Sequence, residues 1–284
     1  MAIIGLYTNF LLKIKTKSTK VKNKKDRCSM GRIIAISNQK GGVGKTSTCI
    51  NFAAGLALKG KKVLICDMDA QGNATTGLGI NKSQVNKSVY DVLIDQVSAK
   101  SVIVETGIEN LHVLPSSIDL AGAEVELVSV KGREKRLQYA LEKVRDCYDY
   151  IIIDCPPAIG LLTVNALAAA DGVIIPIQSE YYALEGLSQL INTVKLVVKA
   201  LNPSLVIEGV LLTMYDGRAL ISRQIAEEIR KYFGNKVFDT VIPRNIRVSE
   251  APSHGLPVML HDKRCRGAVA YVNLVDEYLA KNNK

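Results

Sequence analysis

Lys40 and Lys45 flank the glycines of the run Ser37-Asn38-Gln39-Lys40-Gly41-Gly42-Val43-Gly44-Lys45-Thr46-Ser47-Thr48. An apolar stretch (33–36) precedes the run, and a segment that reads as a helix (50–58) follows it. Glycines at such a junction leave backbone N–H groups unpaired around a helix start, and that concavity attracts anions, phosphate above all. Lys45 can reach β- and γ-phosphates, and the Thr46 hydroxyl can bind Mg²⁺. An ordinary phosphate loop has glycine where this chain has Gln39, and it carries no second lysine at its mouth.

Two more apolar runs end in carboxylates. Val63-Leu64-Ile65-Cys66 leads into Asp67-Met68-Asp69, and Tyr150-Ile151-Ile152-Ile153 leads into Asp154. An acid at a strand end beside a phosphate loop can hold Mg²⁺ directly or through water. Asp67 has two open readings, as such an acid or as a buried structural acid or helix cap. Asp69 lies further into its loop, where a carboxylate can orient a water for attack on a γ-phosphate.

The elements that must carry these groups alternate. Strands are expected at 33–36, 63–66, 111–114, 150–154, 172–177, 206–213 and 237–242. Helices are expected at 50–58, 120–130, 133–147, 161–170, 182–201, 219–233 and 267–281, and short helices in a polar, insertion-like region at 80–110. Short, continuously apolar strands between helices predict an α/β fold, a mostly parallel sheet with helices on both faces, which the glycine–lysine loop makes P-loop NTPase-like. Ligands of such sheets bind beyond the carboxyl ends of the strands, where the loop and the aspartates fall. Residues 30–284 read as a single domain without internal repeat.

Composition bounds the function. The 284 residues are 48% hydrophobic and 23% charged, enough for a substantial core, and no apolar run has the length of a membrane span. Net charge is +10, but residues 1–29 hold Lys13, Lys15, Lys17, Lys20, Lys22, Lys24, Lys25 and Arg27 against Asp26 alone. That leaves only +3 on the rest of the chain, so the overall basicity is no argument for nucleic-acid binding. The extension has its apolar stretch before its lysines, the reverse of a secretory signal. It reads as a disordered tail or a misassigned start ahead of Met30, with a basic arm for DNA or an anionic membrane as the other reading. Six cysteines lack C-x-x-C pairs and metal-like spacing with the three histidines, which fits a reduced, cytoplasmic protein. Cys49 and Cys66 lie in apolar segments, as core thiols do.

With these residues in place, the chain resembles the ParA/MinD family of ATPases. Lys40-Gly41-Gly42-Val43-Gly44-Lys45-Thr46 is similar to that family's deviant Walker A motif, Asp67 to Asn73 to its switch I, and Asp154-Cys155-Pro156-Pro157 to its switch II. Thr213-Met214-Tyr215-Asp216, Ile242-Pro243-Arg244-Asn245 and the run from Ser249 to Gly255 resemble the chromosomal, Soj-type branch. The match spans residues 31–280 and leaves 1–29 uncovered. The resemblance implies a switch in which two subunits sandwich two ATP molecules with Mg²⁺. Lys40 would cross to the phosphates of the other subunit. Gly41, Gly42, Val43, Gly44, Lys45, Thr46 and Ser47 would cradle the chain's own nucleotide. Thr46, and Asp154 through water, would hold Mg²⁺, and Asp69 would position the hydrolytic water. Lys40, Lys45 and Asp69 are thus the catalytic candidates, and Lys40 also has the plain reading of a solvated lysine. Pro243 and Asn245 resemble the segment that packs on adenine; Asn81-Lys82-Ser83-Gln84 lacks the acid of a guanine reader. Arg218 and Arg247 match arginines that bind DNA without sequence preference, although Arg218, in an Asp-Gly-Arg turn, is also what any exposed turn residue looks like. Arg223, Arg230, Lys231 and Arg244 are weaker matches, and His254 reads as a loop hydrogen-bonder.

The implied function is partition: ATP drives a homodimer onto nucleoid DNA, and a ParB-type centromere-binding partner stimulates hydrolysis and release. A MinD-like membrane switch that places the division site is the alternative. It expects a basic amphipathic C-terminus, whereas Val275 to Lys281 is acidic to neutral, so no stable membrane association is expected. An iron–sulfur carrier needs cysteines that bridge subunits, with Cys155 beside switch II as the one suggestive position. A metabolic P-loop kinase needs a second-substrate loop, and none is evident.

Overall fold

The computed structural model describes residues 30–180 and 183–282. The basic extension at 1–29 and Tyr182, the expected first residue of a helix, lie outside them. Seven strands form one sheet in the order β3-β4-β2-β5-β1-β6-β7. They are β1 (Arg32–Ile36), β2 (Val63–Asp67), β3 (Val104–Glu105), β4 (Leu111–Leu114), β5 (Tyr150–Asp154), β6 (Gly172–Gln178) and β7 (Val206–Thr213). Every pairing is parallel except that of β3 with β4.

The central strands are apolar on both faces because both are covered. Ile33 and Ala35 of β1, Leu64 and Cys66 of β2, and Ile151 and Ile153 of β5 enter one core layer. Their neighbours Ile34, Ile36, Val63, Ile65 and Ile152 enter the other, as the two-residue period of a strand requires. The principal helices are α1 (Lys45–Leu58), α2 (Asn73–Gly77), α3 (Arg136–Glu142), α4 (Leu161–Ala169), α5 (Ala183–Ala200), α6 (Leu220–Phe233), α7 (Ile246–Glu250) and α8 (Arg266–Asn282). Helix α1 is buried from Thr48 to Ala57 and shares a core layer with α8. Phe52 of α1 meets Tyr278 of α8 edge to face, with ring centroids 5.0 Å apart. No helix among the described residues is long and apolar enough to cross a membrane.

Two expected elements differ. Residues 237–242 are not a strand: Phe238 N–H donates to Val210 O and Ile242 N–H to Leu212 O, but the N–H groups of Asp239 and Thr240 between them are diverted. Asp239 and Thr240 donate to the carboxylate of Glu277 on α8, at 2.9 and 2.8 Å, so only isolated bridges form along this edge. The 80–110 region holds the expected short helices but also β3, two residues long and antiparallel at the opposite edge. The helices expected at 120–130 and 133–147 are shorter than their spans, broken by 3₁₀ turns.

The register aligns the ends that matter. Ile36 of β1 pairs with Asp154 of β5, and Asp154 pairs with Asp67 of β2. The loop after β1 and both strand-end aspartates therefore leave the sheet at one carboxyl edge.

Candidate functional site at the carboxyl edge of the sheet

The loop between β1 and α1 is shaped by its glycines. Gly42 and Gly44 have φ of 73° and 84°, left-handed values that a side chain resists. Its carbonyls and side chains are tied back to the protein. Lys45 Nζ donates to Lys40 O (3.1 Å), Gln178 Nε2 to Gly42 O (3.2 Å) and Thr213 Oγ1 to Val43 O (2.8 Å). Asn38 anchors the entry, donating to Pro176 O and accepting from Lys40 N–H. Among the described residues, the N–H groups from Gly41 through Ser47 donate to no protein group. With carbonyls held away and N–H groups unpaired, the loop is a nest for an anion.

The two lysines face different surroundings. Lys45 is buried, and burial lowers its pKa while Asp154 pulls the other way. The Lys40 amine is partly exposed, bonded to Glu180 Oε2 at 2.6 Å.

The two strand-end aspartates are fully buried neighbours with opposite hydrogen bonding. Asp67 is saturated: Oδ1 accepts from Asp69 N–H (3.2 Å), and Oδ2 accepts from Thr75 N–H (2.8 Å) and Thr75 Oγ1 (2.7 Å). Thr75 is the third residue of α2, so Asp67 satisfies a start-of-helix donor and acts as the structural acid. Asp154 has neither carboxylate oxygen hydrogen-bonded. Its pKa is raised well above the usual value by burial and by Asp67 beside it; Thr46, short of hydrogen-bonding geometry, and Lys45 oppose the shift. A buried carboxylate without a partner is stable as an anion only beside a cation or a metal. The donor set here, Asp154 with the Thr46 hydroxyl at the start of α1, suits a hard cation such as Mg²⁺.

Asp69 lies half-buried at the mouth, with Oδ1 accepting from Gln71 N–H at 2.9 Å and its charge felt by Lys45 and Asp154. Pro243 and Asn245 stand one step removed. Tyr215 N–H bonds Ile242 O (3.0 Å), and Met214, left-handed at φ 49°, sits between Tyr215 and the Thr213 that holds the loop. Asn245 Oδ1 caps α7 by accepting from Arg247 N–H at 2.9 Å. Arg218 and Arg247 are exposed and paired with their own acids: Arg218 grips Asp216 through two 3.0 Å bonds, and Arg247 donates to Glu250 at 2.8 Å.

Gln178 ends an apolar strand as Asp67 and Asp154 do, and Ser179 and Glu180 follow it directly, but no sequence motif marks these three as site residues. The strand-end position alone marks Gln178 as a candidate, but no local signal pairs Glu180 with Lys40.

A parallel sheet with a glycine-shaped anion nest at its carboxyl edge, a buried loop lysine and a strand-end acid defines a P-loop nucleotide-binding protein. The family model described as "AAA domain" matches residues 31–207. The chain is 61% identical over 251 residues to "Sporulation initiation inhibitor protein Soj" of Bacillus subtilis, covering 88% of this chain and 99% of that one. It is 52% identical to "Chromosome partitioning protein ParA" of Myxococcus xanthus, covering 89% and 90%. Among solved structures, cobyrinic acid a,c-diamide synthase from Mycobacterium smegmatis with bound ADP and magnesium superposes with TM-score 0.78 at 36% identity, covering 90% and 97%. The chain belongs to the ParA/MinD-type family of ATPases.

Proposed function

We propose that this protein is a chromosome-partitioning ATPase whose ATP-bound form is a homodimer on DNA. Support for partition comes from the Soj and ParA relatives, aligned over nearly their whole length. The observation that carries the dimer is the divergence of the two loop lysines. Lys45 is buried and folded against its own loop, whereas the Lys40 amine stands outside on Glu180. A cation at the outer lip is of most use to developing phosphate charge when a second surface closes over it and removes water.

In this reading the N–H groups from Gly41 to Ser47 and the Lys45 amine bind the ATP phosphates. Thr46, and Asp154 through water, hold Mg²⁺, which neutralises phosphate charge when bound. Asp69 orients the attacking water from the mouth of the site. Pro243 and Asn245 pack on adenine. Lys40 leaves Glu180 and reaches the nucleotide of the second subunit, completing a site that one chain leaves open. Arg218 and Arg247 then meet DNA phosphates without reading bases. A ParB-type partner stimulates hydrolysis, and release from the nucleoid follows.

The test is retention on non-specific duplex DNA with ATP, with ADP and without nucleotide, beside anionic liposomes. ATP-dependent retention on DNA without liposome binding is expected. Liposome binding in its place would favour a MinD-like membrane switch.

A further inference from the structure

The body of the protein carries a small positive excess. Residues 30–284 net +3, and residues 244–266 alone net +3, with Arg244, Arg247, Lys263, Arg264 and Arg266 against Glu250 and Asp262. The rest of the body sums to zero, its other basic runs, such as Lys131 to Arg136, being offset by acids elsewhere in the chain.

The five cations are exposed, and the fold holds their backbones together. Asn245 and Val248 pack on Gly267 at the start of α8, where a methyl on Gly267 would meet Val248 Cγ2 at 2.3 Å. Asp262 ties the two stretches, accepting from Arg264 N–H through Oδ1 (3.1 Å) and standing 3.7 Å from Arg247 Nε through Oδ2. The segment is also keyed to the switch I side of the nucleotide site. A Cβ on Gly255 would lie 2.6 Å from the Gly79 Cα, and one on Gly77 3.5 Å from Pro252.

We propose that residues 244–266 form one phosphate-binding face, in which Arg244, Lys263, Arg264 and Arg266 meet the DNA backbone alongside Arg247, and Asp262 tempers their attraction. The inference rests on the DNA-binding reading above and extends it to Arg244, a weaker family match, and to Lys263, Arg264 and Arg266, which the family motifs do not mark. Four of the five cations are arginine, whose planar fork fits phosphate oxygens in pairs. Their positions on two separate stretches spread the charge over a surface, as backbone contact without base readout needs. Asp262 couples to both stretches, so its charge opposes the whole face.

The experiment measures ATP-loaded protein binding to a non-specific duplex across a salt series. Each lost phosphate contact lowers the slope of log affinity against log salt by roughly one. The triple variant Lys263→Ala, Arg264→Ala, Arg266→Ala is expected to lower it by about two to three and to weaken binding about tenfold or more at physiological salt. Asp262→Asn, which keeps the oxygen that accepts from Arg264, is expected to tighten binding a few-fold, a gain that misfolding cannot imitate. Wild-type binding with an unchanged slope in the triple variant, or no tightening by Asp262→Asn, overturns the proposal and leaves the partition reading standing. Absence of ATP-dependent DNA binding by the wild type overturns both. Exposed Ile246 and Leu260 give the face an apolar edge, so phosphatidylserine vesicles form a parallel arm. Vesicle binding lost in the triple variant, without DNA binding in the wild type, would assign the face to membrane instead.

Discussion

Lys45 Nζ donates to the backbone carbonyl of Lys40 at 3.1 Å, so the inner lysine is bonded to the main chain of the outer one. The Lys40 side chain itself goes the other way, to Glu180. One lysine shapes the cradle, and the other is parked outside it. The parking is weak, because an exposed ion pair is worth about 0–1 kcal/mol. The Lys40 backbone is fixed by Asn38 while its amine can leave at little cost.

Glu180→Gln removes the parking place. ATP-dependent self-association is expected to tighten by up to about fivefold, the equivalent of roughly 1 kcal/mol. Sedimentation velocity at several protein concentrations would read it. Weaker association would instead assign Glu180 to the assembled interface.

Asp154 ties stability to pH. Burial and Asp67 raise its carboxyl pKa in the fold. Its contribution to stability is therefore fully present below the ordinary carboxylate value, about 3.9, and is lost as pH rises through the higher folded-state value. In metal-free protein, Asp154→Asn should melt above the wild type at pH 8, by about 1–3 kcal/mol, and the gap should narrow toward pH 4. At this chain length each kcal/mol is roughly 2–4 °C. Mg²⁺ with ATP should reverse the order, because only the wild type keeps the carboxylate. A constant gap across pH would contradict the partnerless anion.

Thr75→Val tests the structural role of Asp67. It removes one of the two Thr75 donors to Oδ2, and the hydroxyl that accepts from Ser116 N–H at 3.1 Å. A loss of about 1–3 kcal/mol in unfolding free energy is expected. Nucleotide affinity, measured at a temperature where the variant is folded, should change little. A large drop in affinity with normal stability would move Asp67 into the nucleotide site.

Asp69→Ala should bind ATP and form the dimer but turn over slowly, at a hundredth of the wild-type rate or less, in the ~10²–10⁴ range typical of a lost base or orienting group. Single-turnover hydrolysis checks this, and an unchanged rate would remove Asp69 from the chemistry.

The fold was legible because buried parallel strands advertise themselves as continuous apolar runs, and the phosphate loop because glycines and lysines must stand at fixed spacing. What escaped depended on side chains far apart in sequence. Residues 237–242 read as a strand until Glu277, from another element, took the amides of Asp239 and Thr240. Asp67 and Asp154 end apolar runs in the same way. Only the fold brings Thr75 and the start of α2 onto one of them and leaves the other without a partner. The Lys40–Glu180 pair joins residues 140 positions apart, beyond the reach of local pattern. Residues 1–29 carry most of the net charge, so the total says little about how the cations of the body are distributed.

The proposed dimer turns on Lys40 acting on a second subunit. Multi-angle light scattering of Lys40→Ala, with saturating ATP and Mg²⁺, tests it most directly when monomeric ATP affinity is measured on the same sample. Near-normal ATP binding is expected, with no dimer at concentrations where the wild type is dimeric. A normal ATP-dependent dimer in the variant would rule out a role for Lys40 in the second subunit's site.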